Sequence, residues 1–475
     1  MQAVTTTIAI IGGGFSGTVL AANLLRRPPP GTTRILLFER GPRIGCGVAY
    51  APGDYPFQLN VPAGRMSAAS YAPTHLLDYA RRHLPQVDAD SYLTRAFYGE
   101  YLDDFLQAAE LAAPLHVKLE RIRGEVCALR PQRPHGPIQL QLADQAWLAH
   151  QVVLACGDPS PAMRSYALEV AHLPAYVRSP YAVDFVQGID PADRRILLIG
   201  TGLTMIDVAV AVGAANPSLR ITALSRHGRL PETQPLSSHA PVLDVTADLH
   251  GLPASRSVAA AARALRCLVR DVLQAGGDWR EAITRARECA PAIWQNLTDT
   301  ERRRFLRHVR VYWDTSRHRM PPDFAARIAE MRRAGRLELH AGRIVRLQPC
   351  DARIVAHWRR RGDGALEARS VDRVIDCSGP DRRLERTSDA LWRQLLDTGL
   401  VHADALGLGL RTGPHGAVID ASGRHSLQIF YLGPMLRAAV WEATAVGELR
   451  ARAEALAAVL ASREPKSVSA ETHAA

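Results

Sequence analysis

Two stretches of this chain repeat one hydrophobic rhythm. Residues 7–11, Thr-Ile-Ala-Ile-Ile, form a short apolar run with the length and branching of a buried parallel strand. Glycines follow at once, 18–25 reads as a helix, and after Pro28-Pro29-Pro30-Gly31 a second apolar run at 34–38 ends in Glu39. The rhythm returns at 195–199, with Gly200-Thr201-Gly202, a helical stretch at 206–212 and a strand at 220–224. Between the two copies the pattern predicts a helix over 98–109 and strands near Val126 and Leu140. Residues 240–335 differ: apolar positions recur at helical spacing through 258–275, 279–288, 299–312 and 322–334. They predict a helical insertion that covers the active-site cleft. Three more apolar runs, 151–158, 372–380 and 427–434, each end in a glycine turn.

The first glycine string, Gly12-Gly13-Gly14-Phe15-Ser16-Gly17, has the spacing that a dinucleotide requires. Gly12 permits a tight turn, Gly14 lets the backbone approach a pyrophosphate, and Gly17 lets helix and strand pack closely. The helix N-terminus, with Ser16 in its first turn, supplies NH groups and a partial positive charge to phosphates. Glu39, at the end of the second strand, can accept both hydroxyls of an adenosine ribose. In the second copy Gly200 and Gly202 persist, but Met205 replaces the third glycine. The ribose position there carries Ser225-Arg226-His227 instead of an acid, which favours a 2′-phosphate and hence NADP(H), with NADH left open. Two such folds in one chain imply hydride transfer from a nicotinamide to FAD.

The expected class is therefore α/β, with two Rossmann-like dinucleotide-binding modules, for FAD and NAD(P), and a helical insertion. The expected division is an FAD module over 1–160, an NAD(P) module over 161–370 with the insertion at about 240–335, the FAD module again over 371–462, and a disordered tail at 463–475. Gly157 and Gly433 end strands beside FAD, and 437–445 is expected to present a helix start to its flavin end.

Composition narrows the chemistry. At 475 residues and 47% hydrophobic the chain can bury more than one core. The net charge of +11 is almost wholly arginine, with only Lys118 and Lys466 as lysines, so a lysine Schiff base is an unattractive mechanism. The arginines are scattered, which argues for anionic cofactors and substrates and against nucleic acid. The seven cysteines form neither a Cys-X-X-Cys pair nor a metal-ligand spacing, so no metal and a reduced, cytoplasmic protein are expected. No apolar stretch is long enough to predict a membrane span.

Several strings together resemble a bacterial group of FAD/NAD(P)-binding flavoprotein monooxygenases. They are Gly47-Val48-Ala49-Tyr50; 59–67, containing Asn60 and Met66; 200–207; Ser225-Arg226-His227-Gly228; Tyr312-Trp313-Asp314 with Arg317-His318-Arg319; and Leu432-Gly433-Pro434 with 441–445. The likeness spans nearly the whole chain. It implies an NAD(P)H-consuming enzyme that hydroxylates a small, nitrogen-rich anionic metabolite with O2. The leading expectation from it is urate to 5-hydroxyisourate, in purine metabolism. The alternatives are an aspartate-type amino-acid N-monooxygenase and, from another class, a flavin electron-transfer or redox-sensing protein. The Baeyer–Villiger signature is missing from 176–195, and the single Cys46 does not make a disulfide reductase.

Asn60 and Met66 lie in a Gly/Pro-flanked loop placed to pass the isoalloxazine. Arg310, Arg317, His318 and Arg319 are candidate grips for an anionic substrate or the NADP phosphate, with a solvated helix end ion-paired to Asp314 as the competing role. His227 reads as a turn residue more than as an acid or base. No side chain stands out as a catalytic acid or base.

Overall fold

The computed structural model describes residues 5–134, 136–160, 163–181, 184–235 and 249–462. The expected tail at 463–475 and the first part of the insertion, 240–248, lie outside the described residues.

Two sheets organise the chain, the first almost wholly parallel and the second parallel except for the antiparallel ladder of Leu337–Cys350, Arg353–Arg360 and Leu366–Val371. In the first, the strand order is Ala417–Ile419, His425–Tyr431, Gln151–Leu154, Thr6–Ile11, Thr33–Glu39, Val117–Arg123; only the Ala417–Ile419 edge is antiparallel. Thr6–Ile11 is buried along its whole length, as a strand covered on both faces must be. The second sheet runs Leu366–Val371, Arg353–Arg360, Leu337–Cys350, Arg220–Ser225, Arg195–Ile199, Arg373–Asp376, Tyr176–Val177.

Each sheet reverses its strand order at the same place, beside the strand that feeds its glycine turn. Gln151–Leu154 lies on one side of Thr6–Ile11, and Thr33–Glu39 on the other. Arg373–Asp376 and Arg220–Ser225 flank Arg195–Ile199 in the same way. Ligands of open parallel sheets bind at such a switch point, beyond the carboxyl ends of the strands.

This pairing corrects one expectation. The strand within 372–380 does not begin the returning FAD segment; Arg373–Asp376 pairs with Arg195–Ile199 and completes the second sheet. The chain re-enters the first sheet only at Ala417–Ile419 and His425–Tyr431. The sequence hid this because both sheets use the same strand-to-glycine form.

The helices follow local chemistry. Phe15–Arg26 and Leu203–Ala215 begin directly on the glycine turns, with Gly14 and Gly202 at their N-caps. In the insertion, Ser257, Asp278 and Thr298 cap Val258–Gln274, Trp279–Asn296 and Asp299–His308 through side-chain oxygens. The single helix expected over 299–312 is two, broken at Val309 into Asp299–His308 and Arg310–Arg317. The helix start expected at 437–445 is a short 3-10 turn, Pro434–Ala438, and the α-helix begins only at Val446. The insertion docks on that turn: Trp294 donates Nε1 to Ala438 O at 2.9 Å, and Trp294, Phe305 and Trp441 share an apolar cluster. Among the described residues no helix is long and apolar enough to cross a membrane, and no His/Cys/Asp/Glu group could hold a metal ion.

Candidate functional site

The first glycine turn leaves no room for side chains. Gly12 has φ +107°, and a Cβ there would lie 2.5 Å from Ala155 O in the neighbouring strand turn. A Cβ on Gly17 would collide with the carbonyl oxygen of Gly12, so helix and strand could not approach as they do. Gly14 faces Gly47, with 3.5 Å from its would-be Cβ to Gly47 Cα. Ser16 is buried in the first turn of the helix. Glu39 closes the same turn: its Oε2 accepts from Gly13 N at 2.7 Å and its Oε1 from Gly41 N at 2.6 Å. Gly157, at φ +71°, borders open space, while its carbonyl accepts from Tyr431 OH at 3.0 Å. Gly433 packs against that Tyr431 hydroxyl, so the two turns are tied together.

The second turn copies the first. Gly200 has φ +113°, and its would-be Cβ lies 2.6 Å from Cys377 O, where Gly12 meets Ala155. Gly202 borders open space, and Met205 is fully buried in the second core, so the missing glycine became a packing residue. Arg226 is exposed at the end of Arg220–Ser225. Arg361, which the sequence did not single out, donates Nη1 to Arg226 O at 3.3 Å and contacts His227 Nδ1. Burial, and then the guanidinium groups of Arg361, Arg226 and Arg229, lower the pKa of His227.

Of the loop residues, Asn60 is half-buried and its carbonyl accepts from Gln234 Nε2 at 3.2 Å. Met66 is buried in the first core, and its carbonyl accepts from Tyr98 OH at 2.8 Å.

The three candidate arginines part company. Arg319 is buried and committed: Nε donates to Ser316 O at 2.8 Å and Nη2 to Arg280 O at 3.2 Å. Burial, with Arg280 and Arg317 nearby, lowers its pKa to about 10. Arg317 pairs with buried Glu442 at 3.1 Å, whose other oxygen accepts from Trp313 Nε1 at 2.8 Å. Arg310 pairs with Asp314 at 3.1 Å and is 37% exposed, which makes it the most accessible of the three.

Two arginines that the sequence reading passed over join this cluster. Arg437 is 7% exposed, lies 3.7 Å over the Trp441 ring and reaches Asp314 Oδ1 at 3.3 Å. Arg382 makes a bidentate pair with Asp158, at 2.6 and 2.9 Å, directly after Gly157. Burial, with Arg317 next in weight, lowers the His318 pKa to about 4, so its imidazole is neutral at pH 7. A signal existed for Asp158, which follows a turn glycine, but none for Arg382 or Arg437.

The comparisons with known proteins fit this geometry. Residues 9–159 match the family described as FAD-NAD(P)-binding. The chain is 38% identical over 129 residues to the L-aspartate N-monooxygenase (nitrosuccinate-forming) of Streptomyces cremeus; the match covers 25% of this chain and 19% of that relative. The chain thus spans about a fifth of the curated relative it matches. Among solved structures, the ornithine N-hydroxylase of Kutzneria sp. 744 superimposes with a TM-score of 0.62 at 16% identity, over 96% of this chain and 99% of that one. The L-lysine 6-monooxygenase of Pseudomonas syringae gives 0.61 at 15%, over 95% and 98%. The bacillithiol disulfide reductase of Staphylococcus aureus gives 0.54 at 12%, over 96% and 98%. At such identities these likenesses establish the fold, which the monooxygenases and the reductase share.

The glycine cradles fit FAD and a nicotinamide nucleotide, in agreement with the matched family. The disulfide-reductase chemistry finds no support: burial pushes the Cys46 thiol pKa up, away from a reactive thiolate, and all seven cysteines are unpaired. The urate reading is corrected here. The curated match is an amino-acid N-monooxygenase, and neither urate hydroxylation nor purine metabolism gains support.

Proposed function

We propose that this protein is an FAD-dependent, NAD(P)H-consuming N-monooxygenase of an amino acid, with aspartate as the substrate to test first. The observation that carries the reading is the 38% match over 129 residues to an aspartate N-monooxygenase, in a chain whose two sheets place paired glycine turns at their switch points. In this reading Gly12, Gly14, Ser16 and Gly17 hold the FAD pyrophosphate, Glu39 its ribose, and Asn60, Met66, Gly157 and Gly433 line its further course. Gly200, Gly202 and Arg226 hold the nicotinamide nucleotide.

Bound FAD supplies what the side chains cannot: acceptance of hydride and activation of O2. The chain's own contribution is positional and electrostatic. Trp294, Phe305, Trp313 and Trp441 pack together where the insertion meets the FAD-side turn, an apolar surround of the kind that would keep water from a substrate bound beside it. Burial first, and then Arg317, Arg437 and Arg310, lower the His318 pKa, and the same surroundings disfavour an ammonium ion. A substrate amine held there loses its proton more readily and keeps the lone pair that must receive oxygen.

The test is incubation of the purified holoprotein with NADPH or NADH, O2 and, separately, aspartate, ornithine, lysine and urate. Hydroxylamine or more oxidised nitrogen products from aspartate support the proposal. Reductant consumption that yields only hydrogen peroxide with every amino acid refutes it.

A further inference from the structure

The arginine cluster beneath the insertion does not balance its charge. Arg382 is neutralised by Asp158 and Arg317 by Glu442, each in its own pair. Arg310 and Arg437, on different segments, share the single carboxylate of Asp314, at 3.1 and 3.3 Å. Among the described residues one positive charge is therefore left over, and it falls on the pair in which Arg437 is the buried member. A buried cation that shares its only close counter-ion with a second arginine is costly, and an incoming anion would relieve that cost.

A second observation agrees. Among the described residues, Arg437 Nε and Trp441 Nε1 are buried donors with no acceptor. Native proteins leave few such groups unsatisfied, and both here belong to residues stacked on each other. The lowered Arg437 pKa, about 10, has the same origin: burial first, and then neighbouring Arg310 and Arg382 against Asp314.

We infer that Arg437 binds the side-chain carboxylate of the substrate and thereby selects acidic over neutral amino acids. The inference rests on the amino-acid N-monooxygenase reading and deepens it. A carboxylate oxygen supplies the missing acceptor and counter-charge together, and the Trp441 ring fixes the guanidinium plane for it. Arg437 follows Gly433 by four residues, so it joins the FAD-side turn to the insertion through Asp314. Ornithine or lysine would instead bring a second cation to a cluster already in surplus.

The experiment uses the holoenzyme and its Arg437→Gln and Arg437→Lys variants, each checked for FAD content and circular dichroism. Succinate, a dicarboxylate without an amine, is titrated against the visible spectrum of bound FAD, with succinamide as the uncharged control. KM and kcat are measured for aspartate and asparagine. In Arg437→Gln, succinate affinity falls and KM for aspartate rises by about tenfold or more, while asparagine changes little. Arg437→Lys recovers part of the loss. A merely structural role would move aspartate and asparagine together, and that result, or unchanged succinate binding, overturns the inference. If the wild-type enzyme oxidises no amino acid but succinate binding still depends on Arg437, the functional reading fails and the anion site stands.

Discussion

Asp207 offers the sharpest test of how the two modules are held together. It sits on Leu203–Ala215, beneath the second glycine turn, and is 5% exposed. Its Oδ2 accepts from Arg95 Nη2 at 3.0 Å and from Tyr181 OH at 2.5 Å. Arg95 begins the helix Arg95–Leu111 of the first module and lies over the Tyr181 ring, so this carboxylate ties one module to the other. Burial raises the Asp207 pKa, and Arg95 opposes the shift; the pair persists because each charge has the other. Asp207→Ala leaves Arg95 buried without a counter-ion and orphans the Tyr181 hydroxyl, which should destabilise the protein by about 3–5 kcal/mol. Replacing both partners, as in Arg95→Met with Asp207→Leu, removes the stranded charge and should recover most of that loss. Urea unfolding followed by tryptophan and flavin fluorescence measures the stability, and stopped-flow reduction by NADPH reports the alignment of the modules. If Asp207→Ala costs less than about 1 kcal/mol, or the double variant is worse than either single one, the buried-pair argument is refuted.

Three further outcomes follow from the same geometry. Gly17→Ala drives a Cβ into the Gly12 carbonyl and should yield protein without FAD; flavin absorbance after purification checks this. Arg226→Ala should raise KM for NADPH about tenfold and spare NADH, with Arg361→Ala weaker in the same direction; equal effects on both nucleotides would count against a 2′-phosphate contact. His318 has a folded pKa of about 4 against 6.5 when unfolded, so the unfolded chain binds the extra proton between those values. Stability should therefore fall as pH drops from 6.5 towards 4, by at most about 3 kcal/mol from this group. His318→Asn should flatten that part of the pH profile, and an unchanged profile would mean that the ring is not held neutral.

The sequence alone determined what local sterics and short-range order decide. Gly12, Gly14 and Gly17 were legible because each meets a steric demand of the turn: a positive φ, a close approach of two backbones or a helix packed on its own strand. Glu39 was legible because strand length carries it back to the same turn. The insertion was readable from helical periodicity and capping residues, though not its break at Val309. Tertiary structure decided the rest. Arg373–Asp376 belongs to the second sheet because a long-range parallel pairing claims it, and its own residues suit either sheet. Among the arginines, composition and position could not separate a committed side chain from an available one. Arg319 is consumed by backbone carbonyls and Arg317 by Glu442, while Arg437 keeps a buried, unmatched donor. Charge balance in a buried cluster is set by segments far apart in sequence, and only the fold brings them together.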